Sequence, residues 1–485
     1  MKRILLVNPP CRLSDKPRNF PHGLGMIAAV LREAGHRVTV LDINAHRFNS
    51  KEVREYLWRN RGVDIVGIGG LVTTYGYFKN FLVPSIREMV KGTPIMVGGG
   101  LGSSIPDLLI QAGADICVVG EGERTVVELI DEYLMGTRRL AEINGLVYLS
   151  AEGLKIKRTA PRELIKNLSE LPMAAYDMFD LEGTYLKNTV VAEYGLRDAD
   201  MVASRGCCFN CDLCYNVFGR GYRIRSHEHL FKEIVYLLDR HRVDFISFQD
   251  NLFMANKDWV SKFVTLYKQH GYEFRWSCTG RVDTVDKELL ELIRNANCVS
   301  VSYGIESGSQ QMLDNMNKRT TVEIAEDAVN ATRACGMQAP CSFIIGYPGE
   351  TRETALETAA FCVRNRVRLN SMTFATPYPG SKLWEFCVPF LQERTGYTES
   401  QFIERLGDAV EFTINLTDMT TPALVALRDE VIAEVQARVP AQTQADADAK
   451  NKALYGAPLW GKILAARPAQ DRVYIEHRTK HGFNR

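Results

Sequence analysis

The stretch SRGCCFNCDLCYN (204–216) places four cysteines within eight positions, directly after an apolar, strand-like run. The chain has twelve cysteines in all. The other eight lie singly, several in apolar stretches where cysteine packs as a small hydrophobe. The N-terminus, MKRILLVNPP, carries only a short apolar run that ends in Pro9-Pro10, with no signal-peptide cleavage pattern. A cytoplasmic, reducing setting is therefore expected, and there a tight cysteine group holds metal or does redox work. Thiolates suit an iron–sulfur cluster or zinc. The spacing Cys207-x3-Cys211-x2-Cys214 would leave one iron of a four-iron cluster without a protein ligand. A structural zinc site normally closes with a fourth Cys or His. Cys208-x2-Cys211-x2-Cys214 is the rival register and ranks second. His227 and His229, the nearest downstream histidines, read as part of a helix start.

Working outward, 485 residues are too many for one ordinary core, and two or three domains are expected. Hydrophobic residues make up 46% and the formal net charge is +1, which describes a globular protein with no general attraction for nucleic acid or anionic membrane. No apolar run is long enough to span a bilayer. Residues 1–150 alternate apolar strands with helices: ILLVNPP, RVTVLDIN, DIVGIGG, PIMVGGG and DICVVGEGE. That rhythm predicts a parallel sheet wound on both faces, with ligands at the carboxyl ends of the strands. The glycine-rich ends Gly67–Gly70, Gly98–Gly100 and Gly120–Glu123 fall at that edge. No G-x-G-x-x-G opens the first helix, so a nicotinamide dinucleotide is poorly supported. Residues 151–198 read as a linker. Six further strands over 199–385 predict a partial (βα)6 barrel, whose active site lies at its strand ends. Residues 386–485 read as a helical C-terminal region with an exposed stretch at 441–452. The fold class is thus α/β throughout.

The Cys207-x3-Cys211-x2-Cys214 motif after the first barrel strand resembles the signature of the radical S-adenosylmethionine (SAM) enzymes, and the segments over about 200–385 are similar throughout. The resemblance implies a [4Fe-4S] cluster on Cys207, Cys211 and Cys214 and reductive cleavage of SAM to a 5′-deoxyadenosyl radical. It places Phe209 and Leu213 in the cluster loop and Asp250 and Asn251 of FQDN near the SAM amino group. Arg281 and Glu306 would stand near the SAM carboxylate and ribose, and Gly346 of GYPGE on the adenine side. Asp283 and Glu350 are better read as helix-capping or first-turn charges. The N-terminal half resembles the cobalamin-binding-type domain of one large branch of this superfamily, through NPP, GLGMIAAVLREAGHRVTVLD, VGGGLGSS and ADICVVGEGERT. Two departures leave cobalamin open: no D-x-H-x-x-G follows the first strand, and Leu101 stands where relatives commonly have histidine.

Two reactions compete. The layout resembles the radical SAM diol dehydratase of apramycin (aminoglycoside) biosynthesis, which implies loss of water from an aminosugar such as a paromamine-like precursor, completed by a partner reductase. The alternative is cobalamin-dependent C-methylation in natural-product biosynthesis. Tyr215 tips the expectation towards dehydration, because a phenol can act as general acid for a leaving hydroxyl. Glu193, Tyr194, Asp198 and Asp200 form an acidic patch suited to ammonium groups. A flavodoxin or ferredoxin is the expected electron donor, and no nucleic-acid or membrane partner is expected. A purely electron-carrying module is disfavoured, since such proteins saturate the cluster with four ligands.

Overall fold

The computed structural model describes residues 1–12, 16–134, 136, 139–150, 155–188, 196–216 and 219–441, with Lys452 and Gly456 beyond them. Its first sheet has seven strands: β1 (Arg3–Asn8), β2 (Arg37–Asp42), β3 (Ile65–Gly69), β4 (Ile95–Gly98), β5 (Ile116–Val118), β6 (Leu146–Leu149) and β7 (Ile156–Arg158). Their order is β2-β1-β3-β4-β5-β6-β7. The first five are parallel, and β6 and β7 add antiparallel. Ile4, Leu5, Leu6 and Val7 of β1 are all buried, as an unbroken apolar run requires when helices cover both faces. Strand order reverses at β1, so the crevice beside it opens above Asn8 and Gly69-Gly70.

Two short strands, β9 (Ser204–Arg205) and β10 (Arg223–Ile224), pair antiparallel around the cysteine loop. The second sheet holds β8 (Asp198–Met201), β11 (Phe245–Phe248), β12 (Arg275–Gly280), β13 (Cys298–Glu306), β14 (Cys341–Ile345) and β15 (Thr373–Phe374). All six are parallel and neighbours follow chain order, β15-β14-β13-β12-β11-β8. This is the partial barrel the strand–helix rhythm predicts. Helices His227–His241, Lys257–Gln269, Lys287–Arg294, Val322–Ala334 and Arg352–Arg364 form its crossovers, N-capped by Ser226, Asn256, Asp286, Thr321 and Thr351.

In its described residues, 155–188 and 196–198, the segment expected as a linker is structured. The first sheet runs on to Arg158, past the boundary placed at 150. Ile165, Leu168, Tyr176, Phe179 and Tyr185 are buried in a core that also holds Phe20 and Leu24 of the first unit and Ala199 and Phe231 of the second. The Tyr185 hydroxyl donates to Asp42 at 2.7 Å, at the end of β2. These anchors come singly between tight turns, with neither a 3.6 nor a 2 period, so no pattern announced them.

The C-terminal region reaches both units. Helix Thr421–Arg438 buries Leu424, Leu427, Val431 and Val435, an i, i+3, i+7 stripe, against Arg352–Arg364, where Arg352 pairs with Glu430. Helix Glu399–Glu404 seats on the first unit through Lys79–Glu404 at 2.9 Å and Asn80–Glu404 at 2.7 Å. Most of the stretch 441–452, like Glu193 and Tyr194, lies outside the described residues. Among the described residues no helix is long and apolar enough to cross a membrane.

Candidate cofactor site

The cysteine loop leaves β9 through Gly206, whose φ is +80°. A Cβ added there would overlap the Gly221 carbonyl, so the turn demands glycine twice over. Gly206→Ala is expected to displace the loop and reduce the iron the protein holds after anaerobic reconstitution. Iron content equal to the unmodified protein would show the turn is dispensable.

Beyond the turn, the loop is tied at its middle. The Asp212 amide donates to Met316 O at 3.0 Å, and its carboxylate accepts from Lys382 at 2.8 Å and Asn317 at 3.1 Å. Asn317 also donates to Asn210 O at 2.8 Å. Leu213 packs against an apolar core that the first unit shares with the barrel and the C-terminal region. Cys207 and Cys211 are half-buried, whereas Cys208 and Cys214 are exposed. Although Cys214 is exposed as a residue, protein atoms crowd its sulfur, and that burial, then the charges of Cys211 and Cys207, push the thiol up to about 11. Among the described residues no three thiol, imidazole or carboxylate groups are drawn into a ready metal cage. Cys207, Cys211 and Cys214 lie on one loop, and thiolates so placed can be gathered by a metal group as it binds.

Arg281 stands over this loop. Its guanidinium lies 3.9 Å from the Phe209 ring centroid and donates to Cys211 Sγ at 3.3 Å. Asp283 holds Nε at 2.8 Å, and the Lys318 and Arg319 carbonyls accept from Nη2. Arg281 thus ties the cysteine loop to Asp283 and the 317–319 turn, each of its three guanidinium nitrogens making at least one hydrogen bond. Asp283 is a first-turn charge, as expected, and also the partner of Arg281.

Glu306, at the end of β13, has a left-handed backbone (φ +71°), a conformation costly for a side chain of this kind and concentrated at functional sites. Its carboxylate accepts from Lys318 Nζ at 3.0 Å, and both groups lie close enough to Cys214 to act on its charge. Asn317 and Arg319 are left-handed as well. The turn 317–319 therefore carries cluster-loop contacts that the sequence reading missed. The signal available was an Asn-Lys pair after a short helix, where asparagine tolerates this conformation.

Asp250 is buried, and its oxygens accept from Ala203 N at 3.2 Å and from both the amide and hydroxyl of Ser204. It laces the ends of β8 and β11 together, whereas Asn251 is exposed beside it. Gly346 turns at φ +82° with its amide held by Glu350 at 3.3 Å and its α-carbon against Leu424, so it faces the C-terminal helix. Glu350 is a loop staple, not a cap: Thr351 caps the helix.

Burial pushes Asp250 up from 3.8 to about 6 and Glu350 up from 4.5 to about 7. Each folded value exceeds the unfolded one, so the folded state binds the extra proton and stability falls as pH rises through the window. The two together are expected to remove about 3 kcal/mol between about pH 5 and 7. Asp250→Asn with Glu350→Gln should flatten urea-denaturation stability across that range; an unchanged slope would contradict the assignment.

Tyr215 is not poised as an acid. Its hydroxyl donates to Gly100 O at 2.9 Å and meets Ser104 Oγ at 2.6 Å, on the Gly99–Ser104 helix that follows β4. Burial pushes its pKa up to about 12, away from proton donation near neutrality. Leu101 is fully buried and faces the core. The acidic patch dissolves too: Asp198 accepts from Ser247 at 3.1 Å, and Asp200 accepts from Phe20 N at 3.1 Å and meets His22 at 3.2 Å. Both are buried, so neither offers a surface to ammonium groups.

A second contact joins the two units. Glu121 and Glu123, at the end of β5, pair with Arg205 of β9 at 3.0 and 2.6 Å, and Glu121 pairs with Arg223 of β10 at 2.7 Å. Arg205 precedes the Gly206 turn directly, so the start of the cysteine loop is clamped to the strand ends of the first sheet.

A thiol triad on a loop at the mouth of a six-stranded partial barrel, fronted by a doubly wound unit with a glycine-rich edge, defines a two-cofactor α/β enzyme. Residues 201–362 match the radical SAM superfamily, and residues 15–130 match the B12 binding domain. An uncharacterized methyltransferase of Pyrococcus horikoshii is 32% identical over 395 residues, covering 80% of this chain and 83% of the relative. Cytidylyl-2-hydroxyethylphosphonate methyltransferase of Streptomyces wedmorensis is 25% identical, covering 80% and 82%. In fold, the chain is similar to the radical SAM methyltransferase TsrM of Kitasatospora setae, solved with cobalamin and a [4Fe-4S] cluster, at TM-score 0.72 and 17% identity over 98% of this chain and 99% of that one. The protein belongs to the radical SAM superfamily, in the branch that carries an N-terminal B12-binding domain. Its cofactors are a [4Fe-4S] cluster and SAM, beside that B12-binding domain.

Proposed function

We propose that this protein is a cobalamin-dependent radical SAM methyltransferase acting on a small biosynthetic intermediate. The observation that carries the reading is the seat of the cysteine loop on the B12-binding domain, with the Tyr215 hydroxyl 2.9 Å from Gly100 O. The same contact takes away the free phenol on which dehydration of an aminoglycoside precursor rested, and with it the need for a partner reductase. The methyltransferases among the relatives support the same choice.

In this reading Cys207, Cys211 and Cys214 hold the cluster, and Arg281, Asn317 and Lys318 orient the loop. The glycine-rich ends of β3, β4 and β5 face the corrin, and at Gly120 an added Cβ would meet nothing within 4 Å. Bound there, cobalamin supplies a cobalt able to carry a methyl group between SAM and substrate. Three cluster thiolates need a reducing compartment, which favours the cytoplasm, with flavodoxin or ferredoxin as electron donor.

The test is anaerobic. Protein reconstituted with iron and sulfide is incubated with methyl-labelled SAM, dithionite and paromamine, with and without cobalamin. S-adenosylhomocysteine formed only in the presence of cobalamin is the expected result. A product lighter by one water, formed equally without cobalamin, would overturn the reading in favour of dehydration.

A further inference from the structure

We propose that Tyr215 is a positioning residue that couples the two cofactor sites, by tying the cluster loop to the glycine-rich edge of the B12-binding domain. The inference rests on the methyltransferase reading. Tyr215 follows Cys214 directly in the chain, so any shift of its ring is passed to a cluster thiol with no residue between them. Its hydroxyl closes a small knot: it donates to Gly100 O at 2.9 Å and shares a 2.6 Å hydrogen bond with Ser104 Oγ, itself 2.7 Å from the same carbonyl. Both hydroxyls can donate to the Gly100 carbonyl, so the two protons are shared among three short contacts.

The knot reaches past one helix. The Leu101 amide donates to Gly70 O at 2.8 Å, so the segment holding Tyr215 also spans the ends of β3 and β4. Gly100 is required where it stands, because an added Cβ would come within 2.8 Å of the Tyr215 hydroxyl. The ring itself packs edge-on to Tyr378 with centroids 6.1 Å apart. Phenylalanine would preserve that packing, so the hydroxyl is the part that specifies contact with the B12-binding domain. The opposite end of the loop is fixed by the Arg205 clamp to β5. The loop is therefore gripped from both strand ends that would border the corrin, and the Tyr215 grip is the one made of neutral hydrogen bonds that a small displacement can break.

Occupancy at the corrin edge then changes the energy of the cluster loop, and by linkage the cluster changes the affinity for cobalamin by the same factor. The experiment titrates hydroxocobalamin into the full-length protein, with and without reconstituted cluster, followed by its visible absorption. Cluster-loaded protein is expected to bind roughly fivefold or more tightly than cluster-free protein, the lower end of ordinary coupling. In Tyr215→Phe that ratio should fall to near one while iron content and thermal midpoint are kept. Gly100→Ala, which pushes the knot apart without touching the tyrosine, should show the same collapse, and Ser104→Ala a smaller one. A ratio preserved in Tyr215→Phe and Gly100→Ala, or no cluster effect in the unmodified protein, would overturn the coupling and leave the methyltransferase reading standing. No cobalamin uptake by the unmodified protein in either form would sink that reading itself.

Discussion

Cys207→Ser is expected to yield protein that takes up no stable four-iron cluster and cleaves no SAM, whereas Cys208→Ser retains both. The two registers, starting at Cys207 or Cys208, are equally compatible with a cysteine count, and the pair of serine variants separates them. Cys214 lies close enough to Cys211 and Cys207, and to Lys318 and Glu306, for their charges to act on it. Cys208 is exposed, as Cys214 is, and lies near enough to both Cys207 and Tyr222 to act on them. A three-thiolate cluster has no spare ligand, and removing one leaves two irons without protein thiolates. The loss should therefore be all or none in visible charge-transfer absorption and in turnover, not graded. Equal iron content and SAM cleavage in the two serine variants would place the cluster in the other register.

Glu121→Ala is expected to destabilise the protein by about 3–5 kcal/mol, the cost of removing one partner from a buried ionic group. Glu121 is 6% exposed and receives Arg205, Arg223 and the Ile165 amide at 2.7–3.0 Å. Burial alone would raise its carboxyl, but Arg223, the Ile165 amide and Arg205 outweigh that and hold it below its ordinary range. Its folded pKa is thus depressed, so its contribution is present above the unfolded carboxyl range and lost as pH falls through the folded value. Removal leaves Arg223 without its carboxylate and Arg205 with Glu123 alone. Because Arg205 precedes the Gly206 turn, cluster retention should fall along with the denaturation midpoint. Glu121→Gln, which keeps the shape and one acceptor, should lose less. A midpoint within about 0.5 kcal/mol of the parent for Glu121→Ala would show that the clamp is solvent-compensated.

The six barrel strands were legible because each is a short apolar run at the start of a strand–helix unit, and parallel order follows from that alternation. The first five strands of the N-terminal sheet were legible for the same reason. The antiparallel hairpin β6–β7 was not, because Leu146–Leu149 and Ile156–Arg158 are too short to carry a period. The cysteine triad was readable as ligand spacing along one loop. Asn317 was not, since it meets the loop from a turn more than a hundred residues away.

Tyr215 shows the limit most clearly. Its identity and its place after Cys214 are local facts, and from them a free general acid was a fair expectation. What its hydroxyl touches depends on Gly100 and Ser104, over a hundred positions earlier, and that proximity exists only once the two sheets have packed. The same holds for Asp200 and Asp198, acidic by sequence yet buried by the core around Phe20 and Tyr176. Composition, periodicity and ligand spacing act over a few residues, and by themselves they determined the α/β class, the two sheets and the thiol triad. Which polar groups remain free for chemistry is a question of long-range pairing, and only the tertiary structure decided it, because a hydrogen bond once made inside the protein removes its donor from the substrate's reach.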